Sequence, residues 1–422
     1  MLKRVVKNFG VVLRGRSIGA AFSVGSTGLM ANSLSATEFG MVILLHTYIM
    51  VIRGVLNFNT FEAIVRFGVP LNDSDQQAGL RCLLRSTMLV DLAAALLATA
   101  IAVIAAPLAG QFLHWDGEVT AWAATYSLVI LSTANGTPNG ILRIFNRFDV
   151  LGVQFSVGPA LRFIMVATLW VWDAPMLMFI IAWGSAFAVG NIYMFVRGMI
   201  ELRAHMASSL WNGFRWQEVS NMGRDFWKFI GVVYWQANID LLPKHVSVLL
   251  AGSLLGPAAA GLFRLAREFS TILTQPAVIL REVLFPDLTR SFHAEDGEIR
   301  SVPFKTAMIA GSVGLGFVVL SLLIGRPLLG LIGNEYVAAS SLLSLLLLAA
   351  SFDLANAPLR AAAYAIGKAA AVLRIHILAI ISYITIFFIL TPLTGLTGPG
   401  LAAILSSLLA LLLTIRLLTR SR

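Results

Sequence analysis

Long apolar windows follow one another along almost the whole chain, and they restrict its fold more than any other feature. A window of about 20 apolar residues lets an α-helix cross the roughly 30 Å hydrocarbon core of a bilayer. A helix also satisfies its own backbone hydrogen bonds inside lipid. The sequence therefore predicts an all-α membrane protein of about 12 transmembrane helices, near residues 9–33, 39–65, 84–108, 118–142, 151–172, 175–199, 229–252, 258–281, 304–325, 337–360, 369–391 and 398–417.

The composition agrees with the bilayer as the main solvent. Hydrophobic residues make up 58% of the 422 residues and charged residues only 12%, against about 25% charged in soluble domains. The net charge of +10 lies mainly at the ends of the predicted spans, so it indicates membrane anchoring rather than nucleic-acid binding. One cysteine, Cys82, and six scattered histidines form no metal-ligand pattern, and we expect neither a metal nor a cofactor.

Lysine and arginine concentrate on one side of the predicted spans. The connections on the other side, near 34–38, 109–117, 173–174, 253–257, 326–336 and 392–397, contain a single basic residue, Arg326. Cytoplasmic connections carry the excess of basic residues in membrane proteins. Both termini are therefore predicted to be cytoplasmic.

A shift of 221 positions aligns one half of the chain with the other. It places Leu34–Gly40 on Leu255–Gly261, Ala134–Asn135 on Ala355–Asn356 and Asn146–Arg147 on Gly367–Lys368. Residues 1–201 then correspond to 222–422, with six spans each. Because six is even, the two repeats are parallel, as in transporters that use such symmetry for alternating access.

This repeat predicts three parts: an N-terminal six-helix lobe at 1–200, a cytoplasmic amphipathic linker at 201–228 and a C-terminal six-helix lobe at 229–422. Duplication can also serve only to build a stable bundle. The number of charged residues inside the predicted spans favours transport over that structural interpretation.

Four stretches of sequence carry a resemblance to a known family. They are Ser35-Ala-Thr-Glu-Phe-Gly-Met-Val-Ile43; Asp240 to Pro286, with Leu255-Gly-Pro-Ala-Ala-Ala-Gly261 and Val283-Leu-Phe-Pro286; Asn334-Glu-Tyr-Val-Ala-Ala339; and Ala355-Asn-Ala-Pro358 with Ala365-Ile-Gly-Lys368. In this order they resemble the polysaccharide-transporter family of lipid-linked oligosaccharide flippases, of the O-antigen flippase type. That family belongs to a superfamily that also contains the multidrug and toxin extrusion transporters. Ser35 stands where the family usually has a glycine.

The resemblance implies a V-shaped bundle of two lobes around a central cavity, in the bacterial inner membrane. It implies a flippase that carries an undecaprenyl-diphosphate-linked oligosaccharide from the cytoplasmic to the periplasmic leaflet, by alternating access, for surface polysaccharide export. The expected partners are this lipid-linked substrate, membrane lipids, and a glycan polymerase with other polysaccharide assembly proteins.

Charged residues inside the predicted spans indicate where a cargo would bind. A charge at mid-bilayer costs about 2.5–3.5 kcal/mol on insertion scales, so it needs a partner, a wet cavity or a function. Basic residues are in excess there, which suits a diphosphate because the arginine fork matches phosphate oxygens. The predicted substrate-binding residues of this cationic cavity are Arg53, Arg162, Arg267, Lys244, Arg14 and Arg16. The acidic residues predicted to serve ion coupling or structural pairing are Asp240, Glu268, Asp91 and Asp353.

Several of these charges also have a structural interpretation. Asp240 with Lys244, and Arg264 with Glu268, are spaced i, i+4 and can neutralise each other on one helix face. Asp91 could sit at the mouth of the third span.

Arg14 and Arg16 lie near the cytoplasmic end of the first span, where their side chains could reach water. Arg53 and Arg162 lie deeper and have no acidic residue at i±3 or i±4. They are therefore the first candidates for contact with the cargo.

Two other classes of function remain open. A cation-coupled drug antiporter of the same superfamily should have an acidic cavity, whereas the buried charges here are mainly basic. A membrane enzyme, such as a glycan polymerase or ligase, needs a catalytic cluster and usually a large outer loop. We predict no catalytic residues, and the chain contains no Walker A phosphate loop.

Overall fold

The computed structural model describes residues 2–73, 76–206, 210–212, 222–241, 245–271, 301–366 and 368–420. Within these ranges it describes all side chains except those of residues 2–7, 9, 73, 236–237, 239–241, 301–302, 365 and 369. All regular structure in these ranges is helical, so the predicted all-α class is confirmed. The chain divides into two compact units, Met1–Ser33 with Leu45–Val246, and Leu34–Leu44 with Ser247–Arg422.

The first unit contains the described helices up to Leu241, except the N-terminal end of the second helix. They are α1 (Leu2–Ser33), most of α2 (Ala36–Val55), α3 (Thr60–Ala63), a π-helical turn (Ile64–Gly68), α4 (Val69–Asp73), α5 (Gln77–Leu113), α6 (Gly117–Tyr126), a 3₁₀ segment (Ser127–Thr133), α7 (Gly136–Ile144), α8 (Phe148–Val171), α9 (Met176–His205) and α10 (Arg224–Leu241).

The second unit contains the remaining helices. They are α11 (Ser247–Leu255), α12 (257–271), α13 (Ser301–Gly330), a 3₁₀ turn (Asn334–Ala338), α14 (Ala339–Ala365), α15 (Ala369–Thr394), a short 3₁₀ turn (Gly395–Thr397) and α16 (Gly398–Thr419). The N-terminal end of α2 belongs to this unit as well.

Seven of the described helical segments are long and apolar enough to cross a membrane. They are Ala36–Asn72, Gln77–Leu113, Phe148–Val171, Met176–His205, Pro303–Gly330, Asn334–Tyr364 and Ala370–Thr419. Each of the twelve predicted windows overlaps a described helix. Twelve crossings in two repeats, and domain boundaries at 200 and 229, stay predictions.

Helix starts in the second half follow the 221-residue register closely. The helix α8 begins at Phe148 and α15 at Ala369, which are 221 positions apart. The helix α2 begins at Ala36 and α12 at position 257, again 221 apart. The register therefore relates helix ends as well as sequence motifs.

Two predicted membrane-spanning segments of the first unit are interrupted. The backbone leaves the helix after Val55 and resumes at Thr60, with Asn59 in the left-handed region at φ 46°. Asparagine tolerates that region better than most residues. A second break at Ala134–Asn135 precedes α7, whereas α14 runs unbroken from Ala339 to Ala365. Such interruptions within membrane-spanning segments leave backbone groups that side chains must satisfy.

The turn before α2 has a capping box. The Glu38 backbone N–H donates to Ser35 Oγ at 3.3 Å, and the Ser35 backbone N–H donates to the Glu38 carboxylate at 3.1 Å. This reciprocal pair satisfies helix N-terminal donors, which gives a physical reason for serine where the resembled family has glycine. A carboxylate oxygen of Glu335 accepts from the Ala36 N–H at 2.9 Å, so two of the family-like stretches meet here in the second unit.

Two glycines bring α2 and α12 into close contact in the second unit. A Cβ atom placed on Gly40 would lie 1.8 Å from the Pro257 carbonyl oxygen, and one on Gly261 would lie 3.0 Å from Gly40 Cα. Neither position therefore has room for a side chain. Gly40 and Gly261 are 221 positions apart.

Candidate functional site

A glycine seam places the first helix against the eighth. A Cβ atom on Gly15 would lie 1.8 Å from the Gly152 carbonyl oxygen, and one on Gly19 would lie 2.2 Å from the Phe155 carbonyl oxygen. Small residues at spacing i, i+4 let helix backbones approach closely in membranes. The same face of α1 continues through Ser23, so the seam carries the serine hydroxyls to α8.

Arg162 of α8 is held by two serines of α1 and one indole. Its Nε donates to Ser26 Oγ at 2.9 Å, and its Nη2 donates to Ser23 Oγ at 2.6 Å. Its Cζ lies 4.1 Å from the ring centroid of Trp183 on α9, within the range of a cation–π interaction. Ser26 in turn donates to the Ser23 carbonyl at 2.8 Å, which orients its oxygen lone pairs toward the guanidinium. A fixed positive charge therefore lies inside the first unit.

A cavity opens beside Arg162 within the first unit. Its volume is about 190 Å³, and its lining includes Arg162, His46, Gln154, Phe155, Trp183 and Asn191. Pockets that enclose drug-sized ligands measure about 300–1,000 Å³. The cavity is therefore sized for a small anionic group rather than for a whole large cargo.

His46 is the titratable neighbour of the arginine in this cavity. Its Nδ1 lies 3.0 Å from the hydroxyl of Tyr126, and its ring makes edge contacts with Trp183 and Phe187 at centroid distances of 6.0 and 5.5 Å.

The other predicted basic residues of the first unit lie elsewhere. Arg14 and Arg16 are exposed on α1, and the guanidinium of Arg16 lies 4.8 Å from the ring of Phe155, which also lines the cavity. Arg53 occupies the last turn of α2, where the helix dipole favours a cation. Its Nε is buried and has no hydrogen-bond acceptor among the described residues. Arg53 does not line the cavity of Arg162.

Asp91 joins the two helix breaks of the first unit. Its carboxylate accepts from Thr60 Oγ1 at 2.7 Å, at the start of α3, and from the backbone N–H and hydroxyl of Thr137 at 2.6 and 2.7 Å, at the start of α7. A Cβ atom on Gly136 would lie 2.8 Å from the same carboxylate. The buried carboxylate therefore caps the N-terminus of α7, where an anion is stabilised, and accepts a hydroxyl at the start of α3.

The turn between α7 and α8 contains a charge network outside the spans. Arg147 donates to Asp149 at 3.0 Å and also to Glu201 near the end of α9. The hydrogen bond to Asp149, and then the charge of Glu201, raise the pKa of Arg147. This basic residue therefore links α8 to α9.

The predicted residues of the second unit form separate groups. Arg264 Nε and Glu268 Oε2 lie 3.7 Å apart across one helical turn. Arg267 Nη1 donates to Ser247 Oγ at 3.1 Å. Asp353 hydrogen-bonds the Ser407 hydroxyl and lies near Arg360. Lys244 and Asp240 precede the second unit in the sequence, and Lys244 and the side chain of Asp240 lie outside the described residues, so their pairing stays a prediction.

Several residues of the cavity were not selected from the sequence. The serines, His46 and Trp183 are ordinary residues of apolar helices, and no spacing marks them as partners of Arg162. The contacts of α8 with α1 and α9 place the serines and Trp183 beside Arg162, and His46 of α2 lines the same cavity. The glycine pair Gly15 and Gly19 was the available signal of the contact between α1 and α8.

The fold of the chain is that of MATE family transporters of the MOP superfamily. An inward-facing multidrug resistance MATE family transporter matches with a TM-score of 0.75 at 14% identity, covering 97% of this chain and 98% of the other. A mutant of the Vibrio cholerae MATE transporter VcmN matches with a TM-score of 0.60 at 19% identity, covering 100% and 97%. A MOP superfamily transporter from Pyrococcus furiosus matches with a TM-score of 0.63 at 14% identity, covering 99% of this chain and 96% of the other. That transporter is described as having a binding pocket of reverse polarity, which suggests a different function for it.

A sequence relative extends the comparison. The inner membrane protein YghQ of Escherichia coli (strain K12) is 25% identical over 348 residues, which are 81% of this chain and 96% of YghQ. No protein-family model matches the chain. These likenesses show that the chain shares the fold of the solved transporters.

Proposed function

We propose that the chain is a transporter of the bacterial inner membrane that flips an undecaprenyl-diphosphate-linked oligosaccharide from the cytoplasmic to the periplasmic leaflet. The observation that carries the proposal is the cationic cavity of the first unit, with Arg162 held between two serine hydroxyls and Trp183. Alternating access by the MATE-like fold would supply the movement. The purpose would be surface polysaccharide export.

The charge of the cavity supports an anionic cargo. Arginine binds phosphate oxygens through a planar fork of N–H donors, and a low dielectric strengthens that attraction. The cavity volume of about 190 Å³ suits the diphosphate, while the glycan and the polyprenyl chain would extend beyond it. A cationic drug would be repelled by the same arginine.

The proposal extends to location and partners. An inner-membrane location is supported by the relative named as an inner membrane protein. The proposed partners are membrane lipids and a glycan polymerase with other polysaccharide assembly proteins. The transporter would perform no chemistry on its cargo and would have no catalytic residue.

A drug antiporter is the second candidate function, and two observations favour it. Two fold neighbours are described as multidrug resistance transporters, and the cavity is lined by the aromatic rings of Phe155, Trp183 and Phe187. Aromatic surfaces also bind apolar drugs. This alternative requires a cargo that tolerates Arg162.

Deletion of the gene in its source organism separates the two functions. The flippase proposal expects an undecaprenyl-diphosphate-linked glycan to accumulate on the cytoplasmic leaflet, measured by lipid extraction and mass spectrometry. Normal glycan export combined with altered drug tolerance would instead support the antiporter.

Substitution of Arg162 tests the cavity directly. Arg162→Gln should reduce complementation of polysaccharide export by at least about tenfold, because charge-assisted hydrogen bonds to phosphate contribute roughly 1.5–3 kcal/mol. Arg162→Lys keeps the positive charge but lacks the planar guanidinium, so it should retain part of the activity. Arg203→Gln, at an exposed arginine of α9, is the matched control. Full export by Arg162→Gln at normal protein level would overturn the cavity assignment.

A further inference from the structure

A second arginine cluster lies inside the second unit. Arg267 of α12 donates from Nη1 to Ser247 Oγ of α11 at 3.1 Å. The Tyr383 hydroxyl of α15 hydrogen-bonds the same serine and lies close enough to Arg267 for electrostatic interaction. Ser247 is 1% exposed, whereas Arg267 and Tyr383 are half-buried. Three helices therefore bring one cation and two hydroxyls together.

The 221-residue register maps this cluster onto the cavity of the first unit. Ser26 corresponds to Ser247, His46 to Arg267, and Arg162 to Tyr383. Each pair is 221 positions apart, and each member lies on the corresponding helix of its unit. All three residues of the second cluster thus have a counterpart at the first site. This agreement comes from sequence positions, independently of the contacts.

The two clusters differ in which helix supplies the arginine. In the first unit the arginine comes from α8 and its neighbour on α2 is a histidine; in the second unit the arginine comes from α12 and its neighbour on α15 is a tyrosine. In both units the guanidinium donates to the hydroxyl of the equivalent serine, Ser26 or Ser247. Each unit therefore has a guanidinium beside this serine, but a different helix supplies the arginine.

We propose that Ser247, Arg267 and Tyr383 form a second anion-binding site, for a phosphate or diphosphate group, equivalent to the Arg162 site. The guanidinium and the phenol can both donate to phosphate oxygens. The inference rests on the proposed function in one respect, that the cargo is anionic. It adds that each unit has its own site for the anionic group.

Stoichiometry of anion binding tests this proposal on the full-length protein in nanodiscs. Labelled inorganic pyrophosphate should saturate at about two equivalents in the wild type. Arg267→Gln and Arg162→Gln should each reduce saturation to about one, or weaken one class of site by at least about tenfold. The exposed Arg326→Gln should leave both sites intact. Farnesyl diphosphate in place of pyrophosphate shows whether a lipid tail adds affinity, which would identify a lipid headgroup as the source of the anion.

An exchange of side chains separates a binding role from a folding role. Arg267→His should lose the second site, and the double variant Arg267→His with Tyr383→Arg should regain it, because it reproduces the arrangement of the first unit. Unchanged two-site binding in Arg267→Gln would overturn the proposal. Failure of the double variant to regain binding, in a protein with wild-type thermal stability, would also overturn it.

The outcomes for the two proposals are distinguishable. If Arg162→Gln loses binding and Arg267→Gln does not, the first site stands and the second does not. If Arg267→Gln alone loses binding, the second site stands without the cavity assigned under the proposed function. Absence of binding in the wild type would overturn both.

Discussion

Asp91 shows what a single charge can do inside a membrane protein. It lies on α5, yet its three hydrogen-bond donors come from the starts of α3 and α7. Each of those helices begins after a break in a membrane-spanning segment. One carboxylate thus satisfies backbone and hydroxyl donors that lipid could not. The sequence predicted a role in ion coupling or pairing for Asp91; the contacts favour a positioning role.

Asp91→Asn should destabilise the first unit, because an amide places an N–H₂ group toward donors that need acceptors. The expected cost is about 1–3 kcal/mol, the penalty for a buried polar group left unsatisfied. Thermal unfolding of the purified protein in detergent measures it. Asp173→Asn, at an exposed aspartate with φ 46°, is the control, since asparagine also accepts that conformation. Equal melting temperatures for the two variants would contradict the role.

The pairing of α1 with α8 is the element-scale feature on which the cavity depends. Gly15 and Gly19 allow backbone contact with Gly152 and Phe155, and the serines further along α1 then reach Arg162. Packing of this kind depends on the absence of a side chain at defined positions. A change several turns from the cavity should therefore alter it.

Gly15→Ala should weaken anion binding and lower the melting temperature, because its Cβ atom would lie 1.8 Å from the Gly152 carbonyl oxygen. Gly10→Ala on the same helix is the matched control, since nothing lies within 4 Å of the added Cβ. Alanine is favoured over glycine in a helix by about 1 kcal/mol, so the control should be neutral or slightly stabilised. A Gly15→Ala variant as stable as Gly10→Ala would contradict close packing at this seam.

Helices were easier to predict from the sequence than their interruptions. Apolar length indicates a helix in lipid whatever its partners are, and each predicted window overlaps one. The breaks at 56–59 and 134–135 are each followed by a contact with Asp91 on a different helix. Its carboxylate accepts from the Thr60 hydroxyl after the first break and from the Thr137 backbone N–H and hydroxyl after the second. A side chain distant in sequence cannot be identified from the local pattern.

Of the candidate site, only the arginine could be predicted from the sequence. Arg162 stood out because a charge inside a span is costly. Its partners did not, because serine, histidine and tryptophan are common in membrane helices. The 221-residue register, applied residue by residue, would have paired Arg162 with Tyr383 and His46 with Arg267. It could not have shown that these residues share a site.

At the scale of the whole molecule, the charge distribution predicts how the chain crosses the membrane. The turns near residues 34–35, 172–175 and 395–397, which separate described helices, contain no lysine or arginine. The turn at Arg147 and the last turn of α9 carry basic residues. The distribution of basic residues therefore predicts cytoplasmic termini.

Cysteine labelling in intact cells tests this orientation. Cys82→Ser removes the single natural cysteine, and Thr37→Cys or Arg203→Cys then adds one at an exposed position. A membrane-impermeant maleimide should label position 37 in intact cells and position 203 only after lysis. The reverse pattern would place both termini outside the cytoplasm.

Gly40 and Gly261 occupy the same place in the two sequence repeats, and they touch each other. A gene encoding a single repeat would produce a half whose glycine could meet its own copy in a homodimer, as an isologous interface requires. In such a dimer every mutation acts twice, so both sites must carry the same residues. Fusion of the two copies removes that constraint. One arginine could then come from α8 and the other from α12, while the contact of the two glycines was inherited unchanged.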